Sequence, residues 1–281
     1  NVINPELGGE EGYGRLSAML KSHDINLIHA FVPNHMGVHY ADNVWWLDML
    51  EWGQRSPFAP SFDIDWDMLP FRNKPGVLLP ILGSSYGEAL TRGEIELKYD
   101  PQQGGFSAWY FEHRLPIAPE RYSEILRSIA AHDSASSNSD SALLAIAARY
   151  AGRDNPSRDR ASALKREIAA VEDGEATINR GLAETYRAGP DRPAQTQALH
   201  HLLERQNYRL AHWKLATSEI NYRRFFDVNE LAGLRVEDRD TFERIHGLVR
   251  RLIAEDKLQG LRLDHIDGLR DPAQYCQRLA R

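Results

Sequence analysis

Cysteine is almost absent from this chain: Cys276 is the only one in 281 residues. No disulfide can close within the chain, and no cysteine zinc cluster can form. That usage fits a reducing compartment, so a cytoplasmic location is the expectation. No apolar run approaches the roughly 20 residues needed to cross a bilayer, and no membrane partner is expected. Basic charge is not in excess either. The 34 lysines and arginines face 40 aspartates and glutamates, for a net charge of −6. A nucleic-acid binder would show a basic stripe, so that class is set aside. A neutral, polar substrate fits better than a polyanion. No secretion leader is visible, although the chain opens on Asn1 rather than methionine. No repeat of fixed period stands out.

Apolar residues make up 42% of the chain, enough for a packed core. The length suits one large domain or two smaller ones. Residues 10–23 read as a helix with Leu16, Met19 and Leu20 on its apolar face. Ile25 to Val32, stopped by Pro33, reads as a buried strand. Residues 36–120 read as an irregular inserted lobe, with strand-like pieces at Val77–Leu82 and Glu94–Tyr99. Residues 121–217 turn helical, with faces marked by Leu143, Leu144 and Ala147, by Leu164, Ile168 and Val171, and by Leu199, Leu202 and Leu203. Ser134–Ser141 and Gly189–Pro193 break that run. Asp240 with Glu243 suggests a capping box for a helix reaching about Asp256, and Gly260–Asp264 is the next strand. Alternating helices and strands imply a parallel sheet, and polar residues at strand C-terminal ends imply an α/β barrel.

Two strand ends carry the chemistry. In Gly260-Leu261-Arg262-Leu263-Asp264, Arg262 and Asp264 are two apart and share one face of a strand. A fixed cation beside the aspartate favours its ionised form, which can attack an electrophilic carbon. From these five residues alone, a structural ion pair at a strand end is the favoured reading. In Val32-Pro33-Asn34-His35, proline ends the strand and the next two side chains can hydrogen-bond sugar hydroxyls. A turn with a satisfied histidine is the alternative. The pairs His23 with Asp24 and His39 with Asp42 are assigned to the surface. Trp45, Trp46, Trp52 and Trp66 can stack on sugar rings or, more simply, form a small core. The acidic run Phe62–Asp67 lacks the spacing and glycine of a calcium loop, so no metal and no other cofactor is expected. Arg223–Leu231 mixes charge with aromatics just ahead of a helix. It reads as the border of a sugar subsite or as a buried corner.

The two strand-end motifs resemble the signatures of the α-amylase-type glycoside hydrolase superfamily. Within it, the chain looks like the maltooligosyl trehalose synthase family. The phrases that carry the likeness are Asn4-Pro5-Glu6-Leu7-Gly8-Gly9-Glu10-Glu11-Gly12, Val32-Pro33-Asn34-His35-Met36, Leu79-Pro80-Ile81-Leu82-Gly83, Asn221–Asn229 and Leu263–Leu269. They stretch over nearly the whole chain in order. The resemblance implies part of a (β/α)8 TIM barrel with an irregular lobe and helices inserted between its third and fourth strands. Barrel segments would then be 1–35 and 218–281, the lobe 36–120 and the helical insertion 121–217, walls or a lid around a cleft. The implied activity is that of a (1→4)-α-D-glucan 1-α-D-glucosylmutase, an intramolecular transglycosylase. It would convert the reducing-end α-1,4 linkage of a maltooligosaccharide to α,α-1,1, through a glycosyl-enzyme and a retaining mechanism. Asp264 would be the nucleophile and Arg262 its partner. Asn34, His35, His265 and Asp267 would bind substrate.

Two departures qualify that expectation. The superfamily usually has an acidic residue three positions before the signature proline, where this chain has Ala30. The family's general acid and second essential aspartate belong to later strands, so the chain is expected to be a middle fragment that lacks acid catalysis by itself. An α-glucan hydrolase or transferase of the same superfamily, or a non-catalytic glucan-binding remnant, are the competing readings. The oligomeric state stays open.

Overall fold

The computed structural model describes residues 2–38, 41–68, 76–130, 138–151 and 156–280. His39 and residues 134–137 of the serine-rich break lie outside them. In chain order come α1 (Gly9–Ser22), β1 (Ile28–Phe31), β2 (His35–Gly37) and α2 (Val44–Trp52). Then follow β3 (Val77–Leu82), α3 (Tyr86–Thr91), β4 (Ile95–Asp100), β5 (Gly105–Tyr110) and β6 (His113–Pro116). The helical stretch is α4 (Tyr122–Ala130), α5 (Asn138–Tyr150), α6 (Arg158–Ala169), α7 (Gly174–Thr185) and α8 (Pro193–Leu203). The chain continues with β7 (Tyr208–His212), α9 (Ala216–Glu219), β8 (Arg224–Phe225) and β9 (Val228–Gly233). It ends on α10 (Arg239–Ala254), β10 (Gly260–Leu263) and α11 (Pro272–Leu279). Among the described residues, no helix is long and apolar enough to cross a membrane.

The chain divides into two compact units, one of residues 1–37, 60–63 and 222–281 and one of 38–59 and 64–221. In the first, β1 and β10 pair in parallel, with Ile28 opposite Gly260 and Phe31 opposite Leu263. A separate antiparallel sheet runs β2–β9–β8. Val249 and Leu252 of α10 and Leu258 form a small core with Ile3, Tyr13, Leu27, Phe31, Leu248 and Leu261. The helix α1 is tied down by polar contacts: Ser17 donates to the Lys257 carbonyl at 3.2 Å, and Glu10 pairs with Arg251.

Three expectations change in this unit. Residues 28–30 of β1 are exposed rather than buried. The α1 side chains Leu16 and Met19 are exposed as well: of this helix only Ser17 is buried. The cap of α10 is Asp238, whose carboxylate accepts the Thr241 amide at 2.8 Å, and not Asp240. Both aspartates precede the apolar rhythm, and only Asp238 has the extended backbone a cap needs.

In the second unit, β3 pairs in parallel with β7, and β4–β5–β6 form an antiparallel meander. Asn221 locks the entry to β3. Its Oδ1 accepts the Leu78 amide, and its Nδ2 donates to the carbonyls of Asp65 and Gly76, all at 2.8 Å. The helices α4 and α7 approach closely at Gly181, where a Cβ would lie 2.5 Å from that of Ile129. The described residues of 36–120 also include two capped helices. Asn43 caps α2, accepting the amides of Trp45 and Trp46, and Ser85 with Glu88 forms a capping box for α3. Trp46 and Trp52 are core side chains, as the simpler reading had it, and both stand on α2. Among the described residues the sheets are small and none closes, so the architecture that stands is mixed α/β. Its parallel pairs are β1–β10 and β3–β7.

Candidate active site

Parallel pairing of β1 and β10 delivers both strand ends to the same side of the sheet, because parallel strands share their direction. The register sets Ala30 opposite Arg262. Past the last pair, the Asp264 amide donates to the Phe31 carbonyl at 3.0 Å. Arg262 Nη2 donates to Asp264 Oδ1 at 3.1 Å, as two residues on one strand face allow. The arginine side chain is 72% exposed and the aspartate 30%, so their attraction is largely screened.

Asn34 is buried, with 2% of its surface exposed. Its Oδ1 accepts from Arg223 Nη1 at 2.7 Å, and its carbonyl accepts the Leu234 amide at 2.8 Å. Gly268 gives it room: a Cβ there would sit 2.9 Å from Asn34 Oδ1. Arg223 is held from three further directions. Its Nε donates to Asp63 Oδ2 at 2.9 Å, its Nη2 to the Leu234 carbonyl at 2.8 Å and its amide to the Asp63 carbonyl at 2.8 Å. Gly233 lies flat against it, since a Cβ would come within 2.6 Å of the guanidinium carbon.

His35 pairs with Gly233 across β2 and β9. Its ring stacks on Phe225 at 4.1 Å between centroids and 22° between planes. Phe225 in turn lies 4.4 Å from the His265 ring, and the two histidines are 5.9 Å apart. Burial, and then the charges of His265 and Arg223, hold His35 below the usual histidine range. A left-handed backbone, φ 58°, turns His265 at the strand end, and Asp267 is exposed on the short helical turn Ile266–Gly268 that follows.

The structure thus joins Asn34, His35 and His265 in one cluster, with Arg262 on β10 and Asp264 just past its end. Asp267 stands on the next turn. Arg223–Leu231 is neither a helix lead-in nor a buried corner: β8 and β9 make a hairpin whose turn holds Phe226 at φ 49°. A phenylalanine hides that turn from a reading tuned to glycine and asparagine. Sequence reasoning also missed what Arg223, Phe225 and Asp63 do. The first two stood inside a flagged segment. Asp63 lay in the acidic run, and its partner is the guanidinium rather than an ion. Among the described residues no group of three or more histidine, cysteine, aspartate or glutamate side chains could hold a metal. Chemically, the cluster offers amide and imidazole hydrogen bonds, an aromatic face and an ion-paired carboxylate, a set suited to a polyol ring.

No family model matches the chain. A Mycobacterium tuberculosis protein assigned as a maltooligosyl trehalose synthase is 31% identical over 279 residues, which is 99% of this chain and 25% of that protein. The chain is homologous to part of maltooligosyl trehalose synthase. It spans about a quarter of the length of the curated relatives it matches. The solved maltooligosyltrehalose synthase of Arthrobacter ramosus covers the whole chain at 31% identity with a TM-score of 0.62, using 26% of its own length. A glycosyltrehalose synthase structure matches with a TM-score of 0.64 and 27% identity, covering 99% of this chain and 28% of its own. The fold is therefore that of a portion of the maltooligosyl trehalose synthase structure.

Proposed function

We propose that this chain carries part of the catalytic centre of a (1→4)-α-D-glucan 1-α-D-glucosylmutase. That enzyme turns the reducing-end α-1,4 linkage of a maltooligosaccharide into an α,α-1,1 linkage. One observation supports this most: the parallel register that sets Asp264-His265 beside Asn34-His35 at one strand end. Asp264 attacks the anomeric carbon and forms a glycosyl-enzyme with retention. Arg262 orients the carboxylate. Asn34, His35, His265 and Asp267 hold the hydroxyls of the attacked sugar, and Phe225 lends the ring cluster its apolar floor. The released glucose turns in place, and its anomeric hydroxyl attacks the ester. Water has to be kept out during that turn, or hydrolysis wins. The reading assigns no general acid to this chain.

Product analysis of the full-length protein on maltopentaose tests it. A non-reducing product of unchanged mass is expected; glucose with shorter maltooligosaccharides would replace the mutase by a hydrolase. A second reading, glucan binding without turnover, is favoured by one residue. Ala30 faces Arg262 across the strand pair, where a carboxylate would brace the guanidinium. Ala30→Asp raises turnover if that missing brace limits the rate.

A further inference from the structure

A guanidinium has only donors, so any atom it meets in a hydrogen bond is an acceptor. Arg223 Nη1 lies 2.7 Å from one end of the Asn34 amide, and that end is accordingly oxygen. The other end, the NH2, faces His35 Nδ1 at 3.4 Å. An amide NH2 only donates. Nδ1 therefore accepts, and the ring proton belongs on Nε2. The donor-only group at one end of the chain thus dictates the tautomer at the other.

We infer that Asp63, Arg223 and Asn34 form a positioning relay that fixes His35 as the neutral Nε2–H tautomer, so that its ring offers a donor to a sugar hydroxyl. Each link is restrained. Asp63 and the Leu234 carbonyl fix the plane of the guanidinium at 2.9 and 2.8 Å. Gly233 leaves no room for it to swing aside. Asn34 is buried, so water does not compete for its two ends. Phe225 stacks on the ring and fixes its tilt. The charged groups facing His35 are His265 and Arg223, both of which disfavour the imidazolium. Only the last step, the sugar hydroxyl, rests on the function proposed above; the tautomer does not.

Neutron diffraction from crystals of the full-length protein at about pH 8, above the ordinary histidine range, reads the ring hydrogens directly. Deuterium on Nε2 of His35 and none on Nδ1 is expected. Deuterium on Nδ1 overturns the relay. Asn34→Asp keeps an acceptor for Arg223 but turns only acceptors toward the ring, so the proton should move to Nδ1; a proton that stays solely on Nε2 overturns the relay too. Arg223→Lys keeps the charge and loses the planar fork, and kcat/KM on maltooligosaccharides should fall about 10- to 100-fold, the scale of a misplaced binding group. The two proposals fail separately. Nε2 deuterium in a protein that ignores maltooligosaccharides supports the relay and removes the mutase. Mutase turnover with Nδ1 deuterium removes the relay alone.

Discussion

The two parallel strand pairs, β1–β10 and β3–β7, share a geometry and differ in what covers them. Five of the six β3 residues are buried, in a nearly unbroken apolar run. None of the four β1 residues is, and its middle is His29-Ala30. A strand hidden on both faces contributes its side chains to packing. β1 is the open strand of the two, with no residue buried, and Asn34-His35 follow its end. One copy of the motif is packed into a core, and the other carries the proposed site.

The sharpest way to break the contrast is at the open pair. Asp264→Asn in the full-length protein should lower kcat by about 10⁴-fold or more while binding of maltooligosaccharide persists. Turnover within tenfold of the parent would dismiss the nucleophile. At the closed pair, Leu79→Ala should cost about 2–5 kcal/mol by urea denaturation, since it empties a buried site. A smaller effect comes from acid. His35 and His246 both titrate below the ordinary 6.5 in the folded chain, each chiefly through burial. The unfolded chain then binds more protons. Their stabilising effect is complete above about pH 6.5 and is lost as pH falls through the folded values. The urea midpoint should thus be lower at about pH 5 than at pH 7.5, and His246→Gln should flatten part of that slope. An unchanged midpoint would show that neither ring is held neutral. Smallest is Ile28→Ala on β1, expected within about 0.5 kcal/mol of the parent because the side chain is 65% exposed. A loss as large as that of Leu79→Ala would abolish the distinction between the pairs.

What could be read from sequence follows the range of the interactions. The strand β3 lay between Gly76 and Gly83 as an apolar run and was legible to its bounds. The helix α10 announced itself through Phe242, Ile245, Val249 and Leu252, all buried. Arg262 and Asp264 were legible as a pair because two residues on one strand fix their own geometry. The Arg223 contacts to Asp63 and Asn34 were not, since they span 160 and 189 residues and leave no local pattern. Nor was the β8–β9 hairpin, where the positive φ falls on a phenylalanine. The strands β5 and β6 were overlooked because Gly104 and the histidine, arginine and proline of β6 resemble a loop until the meander pairs them.

The join between β1 and β10 is closed by Leu27 and Gln259, 232 residues apart, which exchange two hydrogen bonds of 2.9 and 3.0 Å. A ribosome adding about 5–20 residues per second needs roughly 10–50 s to make what lies between them. Through that interval the nascent β1 waits with a bare edge, the arrangement most prone to recruit a neighbouring chain. Ile28-His29-Ala30-Phe31, closed off by Pro33, is a poor template for it, and the imidazole of His29 serves as a gatekeeper long before the strand meets its partner.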